Sequence, residues 1–366
     1  MEPILNLSRL ESLARPHLTK MAYDFIAGGA EDELTLRENV DAWNRIRILP
    51  RVLGGARERR LETTVLGQRI SAPILAAPMG FQRLAHPEGE VAGARGTAQA
   101  RTIFILSTMS TRSIEDVAHA GDGPKWFQLY VYKDRAISEN LIARAVAAGY
   151  RAICLTVDNP VEGRRERDKL NPFILPKGLA LANFQGNPAL AKIEDSENES
   201  ALTDYIHDQW ETALSWRDVD WVSQRSKLPL IFKGVLTARD AELAVDHGAA
   251  AIVVSNHGGR QLDGAPATAD VLSEVVDAVG SRCEVLVDGG IRRGTHVLRA
   301  LAMGARAVLV GRPLFWGLAL GGASGVHAVL RHLRDELSIA MELAGCPSIS
   351  EISRDLLRKG PLHVGL

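Results

Sequence analysis

The sequence predicts an α/β protein built as a closed (β/α)8 barrel, on three observations. Eight short apolar, β-branched runs recur along the chain, helix-like stretches separate most of them, and the strand candidates are apolar almost throughout. Strands that alternate with helices imply crossover connections and therefore a parallel sheet. Near-continuous apolar strands are buried on both faces, and seven or more such units in series favour closure over an open doubly wound sheet.

The elements follow in order within a single domain spanning 1–366. Residues 1–60 hold a helical start, LSRLESLARPHL, and then MAYDFIAGGAEDELTLRENVDAWNRIRILP. This segment is too short for a catalytic domain of its own and is expected to pack on the barrel. The strand candidates are PILAAPM from 73, FILST from 104, KWFQLYV from 125, AICLTVD from 152, LIFKGV from 230, AIVVSNH from 251, EVLVDGG from 284 and AVLVGRP from 307. Residues 137–150, 238–250 and 295–307 place apolar side chains at three- and four-residue spacings and each stretch meets a glycine, the pattern of an amphipathic helix and its stop. Strand starts lie 21 to 33 residues apart except for the 78 residues between 152 and 230. That gap marks an insertion over about 178–228 whose middle, within 183–208, is polar and acidic. On a barrel rim such a segment is a lid or a disordered insertion. Tyr205 within it is either a residue that dips into the pocket or an ordinary surface tyrosine.

Composition narrows the partners. Lys plus Arg (43) nearly balance Asp plus Glu (44), which gives no electrostatic reason to expect nucleic acid or an anionic membrane. No run reaches the roughly 18 apolar residues of a membrane span, and the N-terminus lacks a signal-peptide pattern. Cys154, Cys283 and Cys346 are far apart, form no CxxC, and read as reduced structural cysteines. A cytoplasmic protein acting on a small molecule, without a metal, is the expectation.

In a (β/α)8 barrel the active site gathers at the carboxyl ends of the strands. Those ends carry Met79 and Gly80, Ser107, Gln128 and Tyr130, Thr156 and Asp158, Lys233, Ser255 and His257, Asp288 and Gly290, and Gly311 and Arg312. Any one of them is a weak signal, but their coincidence on one rim is a strong one. In VVSNHGGRQLDG only glycines separate His257 from Arg260, which is a solvated loop or one wall of an active site. The rim chemistry favours the wall. DGGIRRG and GRP follow the last two strands, where barrels often hold a phosphate, and Arg292 and Arg312 supply donors; helix capping is the other reading. Lys233 at a barrel mouth implies an anion partner or a Schiff base. No GxGxxG follows a strand, as fits a mononucleotide in a barrel rather than a dinucleotide in a Rossmann fold.

SNHGGRQLDG, with LTVDNPVEGRRERD, WFQLYVYKDR, APMGFQRLAHPEGE and the pairing of DGGIRRG with VGRP, resembles the FMN-dependent 2-hydroxy acid oxidases and dehydrogenases, TIM-barrel flavoproteins that include lactate and glycolate oxidases. The resemblance implies oxidation of a small L-2-hydroxy acid to the 2-oxo acid, with O2 reduced to H2O2. It implies that His257 takes the hydroxyl proton and Asp158 pairs with its imidazole. Arg165, Arg260 and Tyr23 would hold the substrate carboxylate, and Tyr130 would contact the substrate near its hydroxyl. For FMN it assigns Met79, Gly80, Ser107, Gln128, Thr156, Lys233 and Ser255 to the ring, Asp288 to the ribityl chain, and Gly290, Arg292, Gly311 and Arg312 to the phosphate. It further implies a homo-oligomer, tetramer or octamer. Plant glycolate oxidases carry Ala where this chain has Gly80 and Trp where it has Met109. With Met79, that pattern is nearer to bacterial lactate-oxidising members and favours L-lactate over glycolate. The alternatives are a lactate- or mandelate-type dehydrogenase using a quinone or other acceptor, and a lactate monooxygenase. A silent FMN-binding barrel is disfavoured because base and carboxylate clamp are all present.

Overall fold

The computed structural model describes residues 4–54, 59–185 and 209–358. Eight parallel strands close into a barrel: β1 Ile74–Met79, β2 Phe104–Ser107, β3 Lys125–Leu129, β4 Ile153–Thr156, β5 Leu230–Val235, β6 Ala251–Val254, β7 Glu284–Val287 and β8 Ala307–Val310. Closure comes from β8 pairing with β1, Val308 opposite Ile74 and Val310 opposite Ala76. All eight expected strands are present; Leu230–Val235 matches its expected run, Ile74–Met79 starts one residue late, and the other six end where their last residues leave the ladder for the rim.

Period-two alternation divides the buried side chains into two layers. Leu75, Ile105, Trp126, Cys154, Ile231, Val253, Leu286 and Leu309 fill the barrel interior. Their neighbours Ala76, Phe104, Phe127, Leu155, Phe232, Val254, Val287 and Val308 face the helices. A hairpin, Thr63–Val65 with Gln68–Ile70, closes the base, because Val65 and Ile70 join the interior cluster. No periodicity in the sequence marks this hairpin, whose strands are three residues each.

Helices cover the barrel and begin at local caps. Asp134 accepts from Ala136 N–H at the start of Arg135–Ala147, and Thr237 from Asp240 N–H at the start of Ala238–Asp246. These helices and Gly294–Ala302 stop before the expected ends, since their last residues turn toward the next strand. Part of the expected 178–228 insertion is regular: Trp216–Ser226 is a helix with a Ser215/Asp218 capping box, the crossover helix ahead of β5. The rest, 186–208 with Tyr205, lies outside the described residues.

After β8 the chain runs into a 32-residue helix, Arg312–Leu343, broken at Gly321 and Gly322. By length and composition it could cross a membrane, contrary to the expectation that no segment is apolar enough, but 61% of that stretch is buried inside the fold. The N-terminal segment packs as expected through Lys20–Ala27 and Leu34–Arg45, with Trp43 fully buried. Arg47–Ile48 then pairs with Leu357–Arg358. Cys154, Cys283 and Cys346 are free thiols.

Candidate active site

The alternation that fills the barrel also aims the site. Two residues beyond the interior side chains of successive strands stand Ala77, Ser107, Gln128, Thr156, Lys233, Ser255, Asp288 and Gly311. A further step of two reaches Met79, Tyr130, Asp158 and His257. The strand ends open on a cavity of about 730 Å3 lined by Met79, Gly80, Ser107, Gln128, Tyr130, Thr156, Arg165, Lys233, His257, Arg260, Asp288, Gly290, Arg292, Gly311 and Arg312. Asp158 and Ser255 stand behind this lining, hydrogen-bonded to His257 and Lys233.

His257 Nδ1 lies 3.0 Å from Asp158 Oδ1. Burial opposes ionisation of Asp158, yet the charge and hydrogen bond of His257, aided by Lys233, hold its carboxyl below the usual range. Burial pushes the imidazole down; Asp158 offsets part of this, and Lys233 and Arg165 add to it. The pair is therefore a carboxylate beside a neutral imidazole. An ionised acceptor on Nδ1 places the proton there and leaves Nε2 with its lone pair, the form of a general base. His257 adopts a left-handed φ of 57°, held by its N–H to Ser255 Oγ at 3.1 Å. The turn is further fixed by Asn256, which exchanges 2.8 Å hydrogen bonds with Asn39.

Lys233 donates to Ser255 Oγ at 3.1 Å and stands 3.3 Å from Asp288 Oδ2. Burial lowers its pKa, but Asp288 and Asp158 overcome this and hold the ammonium charged. A protonated lysine is not a Schiff-base nucleophile, which removes that alternative at neutral pH. Ser107 Oγ donates to Gln128 Oε1 at 3.1 Å, and Gln128 Nε2 to Thr156 Oγ1 at 3.0 Å, a polar ribbon across three strands. Burial, with Asp158, pushes the Tyr130 phenol up to about 12, so it remains a donor.

Positive charge dominates the rest of the cavity. Burial, then Arg165 and Arg312, press on Arg260, and burial and Arg292 pull Arg312 down to about 10. Arg165 is ion-paired with Glu162. Arg260 and Arg312 donate to backbone carbonyls instead: Arg260 to Phe25 at 2.6 Å and Gly28 at 3.1 Å, and Arg312 to Ile26, Gly28 and Gly258. Several of these are end carbonyls of Lys20–Ala27, where a cation is favourable. The carbonyls satisfy donors but not charge, so the cluster calls for anions.

One expected site residue lies elsewhere. Tyr23 is not among the residues lining the cavity: its hydroxyl donates to Glu11 at 2.9 Å, and Arg15 lies 4.9 Å above its ring. Phe25, two positions on and about 200° around the helix, is the residue that faces in. It packs against Phe173 with ring centroids 4.6 Å apart and planes tilted by 35°, meets Phe81 edge-on at 5.5 Å, and carries the Arg260 guanidinium 4.9 Å over its ring. The 3.6-residue period of this helix was the signal that separates the two rings. Trp210, 4.8 Å from Tyr130, and Phe173 also line the cavity but come from irregular segments with no periodicity to betray them. Glu90 of HPEGE is buried and joins the loops after β1 and β2, accepting from Gln82 N–H, Thr111 N–H and the Thr111 hydroxyl.

These residues fit FMN. Asp288 Oδ1 is buried with no hydrogen-bond partner among the described residues, as suits an acceptor for a ribityl hydroxyl. Gly290, at φ 74°, is packed so closely that a Cβ would lie 1.9 Å from the Asn39 carbonyl oxygen, which leaves bare backbone beside Arg292. Trp43 Nε1 braces the same loop through the Gly289 carbonyl at 2.8 Å.

A model of the FMN-dependent dehydrogenases matches residues 14–359. The chain is 51% identical to an L-lactate oxidase of Nostoc sp., over 96% of this chain and 98% of that protein. It is 51% identical to glycolate oxidase 3 of Arabidopsis thaliana, over 96% of this chain and 95% of that one. A crystal structure of a mandelate oxidase superposes with a TM-score of 0.90 at 43% identity, covering 98% of this chain and 100% of the other.

Proposed function

The chain belongs to the FMN-dependent dehydrogenase family, and from that premise we propose that it is an oxidase of small L-2-hydroxy acids with L-lactate preferred over glycolate. The observation that carries the reading is the neutral His257 on an ionised Asp158, in one cavity with Arg165, Arg260 and a cationic Lys233.

Arg165 and Arg260 hold the substrate carboxylate by charge-assisted hydrogen bonds, each contributing roughly 1.5 to 3 kcal/mol. That grip directs the 2-hydroxyl toward His257 Nε2, which removes its proton as the carbonyl forms. Asp158 stabilises the resulting imidazolium, and Tyr130 keeps its own proton and orients the hydroxyl oxygen. FMN, when bound, would supply the acceptor for the C2 hydrogen with its electron pair, and O2 would leave as H2O2 carrying that hydrogen and the proton taken by His257. Ser107, Gln128 and Thr156 would meet the ring edge, with Met79 and Gly80 at its side and Lys233 and Ser255 beside its anionic end. Asp288 would hold the ribityl chain, and Gly290, Arg292, Gly311 and Arg312 the phosphate.

The preference for lactate rests on the wall formed by Met109, Phe25, Phe173 and Trp210, which offers an apolar contact to a methyl group. Burying one methyl stabilises by about 0.8 kcal/mol, or roughly fourfold in kcat/KM. Steady-state assays of both acids with peroxide detection test this; a higher kcat/KM for glycolate would overturn the preference. A cytoplasmic location accords with three free thiols. A tetrameric or octameric assembly accords with exposed Val161, Leu170, Ile174 and Leu262 on the loops after the strands, and light scattering measures it.

A further inference from the structure

A second cavity, of about 190 Å3, lies at the opposite end of the barrel, beside Ser71 and Thr102 where the chain enters β1 and β2. Arg101, Arg331, Arg334 and His327 line it, and among the described residues no acidic one does. Residues 327, 331 and 334 fall at i, i+4 and i+7 of the Arg312–Leu343 helix and so share one face. Arg101 approaches from the turn that follows the Glu90–Gln99 helix.

All three arginines are exposed. Among the described residues none forms an ion pair or spends its guanidinium on a hydrogen bond. Other arginines of this fold behave differently: Arg95 pairs with Glu88 at 3.0 Å and Arg293 with Glu336 at 2.6 Å. The carbonyls at the end of Glu90–Gln99 do not need these cations either. Gly96, Ala98 and Thr97 already accept from Ala100, Arg101 and Thr102 N–H, and Ser71 Oγ donates to the Ala100 carbonyl at 2.6 Å. Arg101 has a left-handed φ of 55°, a conformation disfavoured for a residue with a side chain, and it is pinned there by Ser71 N–H on its carbonyl at 3.0 Å. Burial, and then Arg331, press the His327 imidazole below its usual range, a sign of the local positive potential.

We propose that this basal cavity binds a compact oxyanion carrying two or more negative charges, phosphate or polycarboxylate, through the guanidinium groups of Arg101, Arg331 and Arg334. Planar forks suit such oxygens, and convergence of three on one small cavity favours a multivalent ion over a monocarboxylate. The site is separate from the rim and does not depend on the oxidase reading.

The test is calorimetric titration of the FMN-loaded enzyme, at constant ionic strength, with inorganic phosphate in one arm and citrate in the other. Wild type is compared with the Arg331→Gln/Arg334→Gln double variant and with Arg101→Gln. The expected result is saturable binding of at least one anion, weakened roughly tenfold or more in the double variant and measurably in the single one. The tighter arm identifies the ligand class. Because these arginines are on the surface, the variants are expected to keep wild-type Tm, kcat and KM. Equal affinity in wild type and double variant, anion binding that only competes with the 2-hydroxy acid, or no saturable binding in either arm would each overturn the proposal.

Discussion

His257 occupies a backbone region that costs a side-chain-bearing residue on the order of 1–3 kcal/mol, and its neighbours hold it there. The conformation is retained because it presents Nε2 to the cavity while Nδ1 rests on Asp158. Replacing His257 with Gln is expected to lower kcat/KM by 10²- to 10⁴-fold with flavin still bound, as read by steady-state kinetics and the visible spectrum. As the proposed base, His257 works neutral and its pKa is displaced downward, so kcat/KM should rise with pH through a point below 6.5 and then level off. An acidic limb centred above 6.5 would contradict the assignment. Asp158→Asn removes the charge that partly restores the imidazole, so that limb should move further down as kcat falls. Tyr23 supplies a test of a different kind: Tyr23→Phe should leave kcat/KM within about twofold, whereas Phe25→Ala removes the wall under Arg260 and should raise KM about tenfold. His257 and Asp158 were legible because strand-end parity and motif agree on them, and Arg260 was legible from the motif alone. Tyr23 and Phe25 were not separated, since a tyrosine near glycines suggests polar contact and only the helix phase shows which ring faces in.

At the scale of elements, the loop after β7 that carries Gly290 and Arg292 is tied to the final helix by Glu336. Its carboxylate accepts from Gly294 N–H at 2.8 Å and Arg293 at 2.6 Å. Burial opposes ionisation, but the bonds from His332, Gly294 and Arg293 prevail and bring the carboxyl down to about 2 from an ordinary 4.5. A depressed carboxylate contributes its stability above the unfolded-state pKa and loses it as pH falls through the folded one. Glu336→Gln should therefore lower Tm at pH 7 and flatten the part of the acid unfolding curve between about 4.5 and 2. An unchanged curve over that interval would contradict the assignment. FMN should also bind more weakly, read by fluorescence on dilution. Strands were legible because each is a short β-branched run. The basal hairpin was not, because two three-residue strands carry too few positions for alternation to register, and the crossover helix at 216–226 was hidden beside a polar insertion.

Across the whole molecule, one alternation does two jobs: below the rim it packs a dry interior, and at the rim it turns polar and builds the site. Eight strands, evenly spaced but for one insertion, were therefore enough to anticipate both the barrel and the position of its chemistry. The long last helix was less legible, since its composition also suits a membrane and only its burial identifies it as part of the fold. On the proposed reading, one cavity holds FMN and, through His257, oxidises a 2-hydroxy acid. The most direct measurement is anaerobic titration of the FMN-loaded protein with L-lactate, following visible absorbance and pyruvate, with His257→Gln in parallel. Wild type should lose its flavin absorbance with pyruvate formed in equal amount, and recover it with H2O2 when air is admitted, while the variant bleaches at least about a hundredfold more slowly. An unbleached wild-type flavin, or a variant that bleaches at the wild-type rate, would contradict this role of His257 and its cavity.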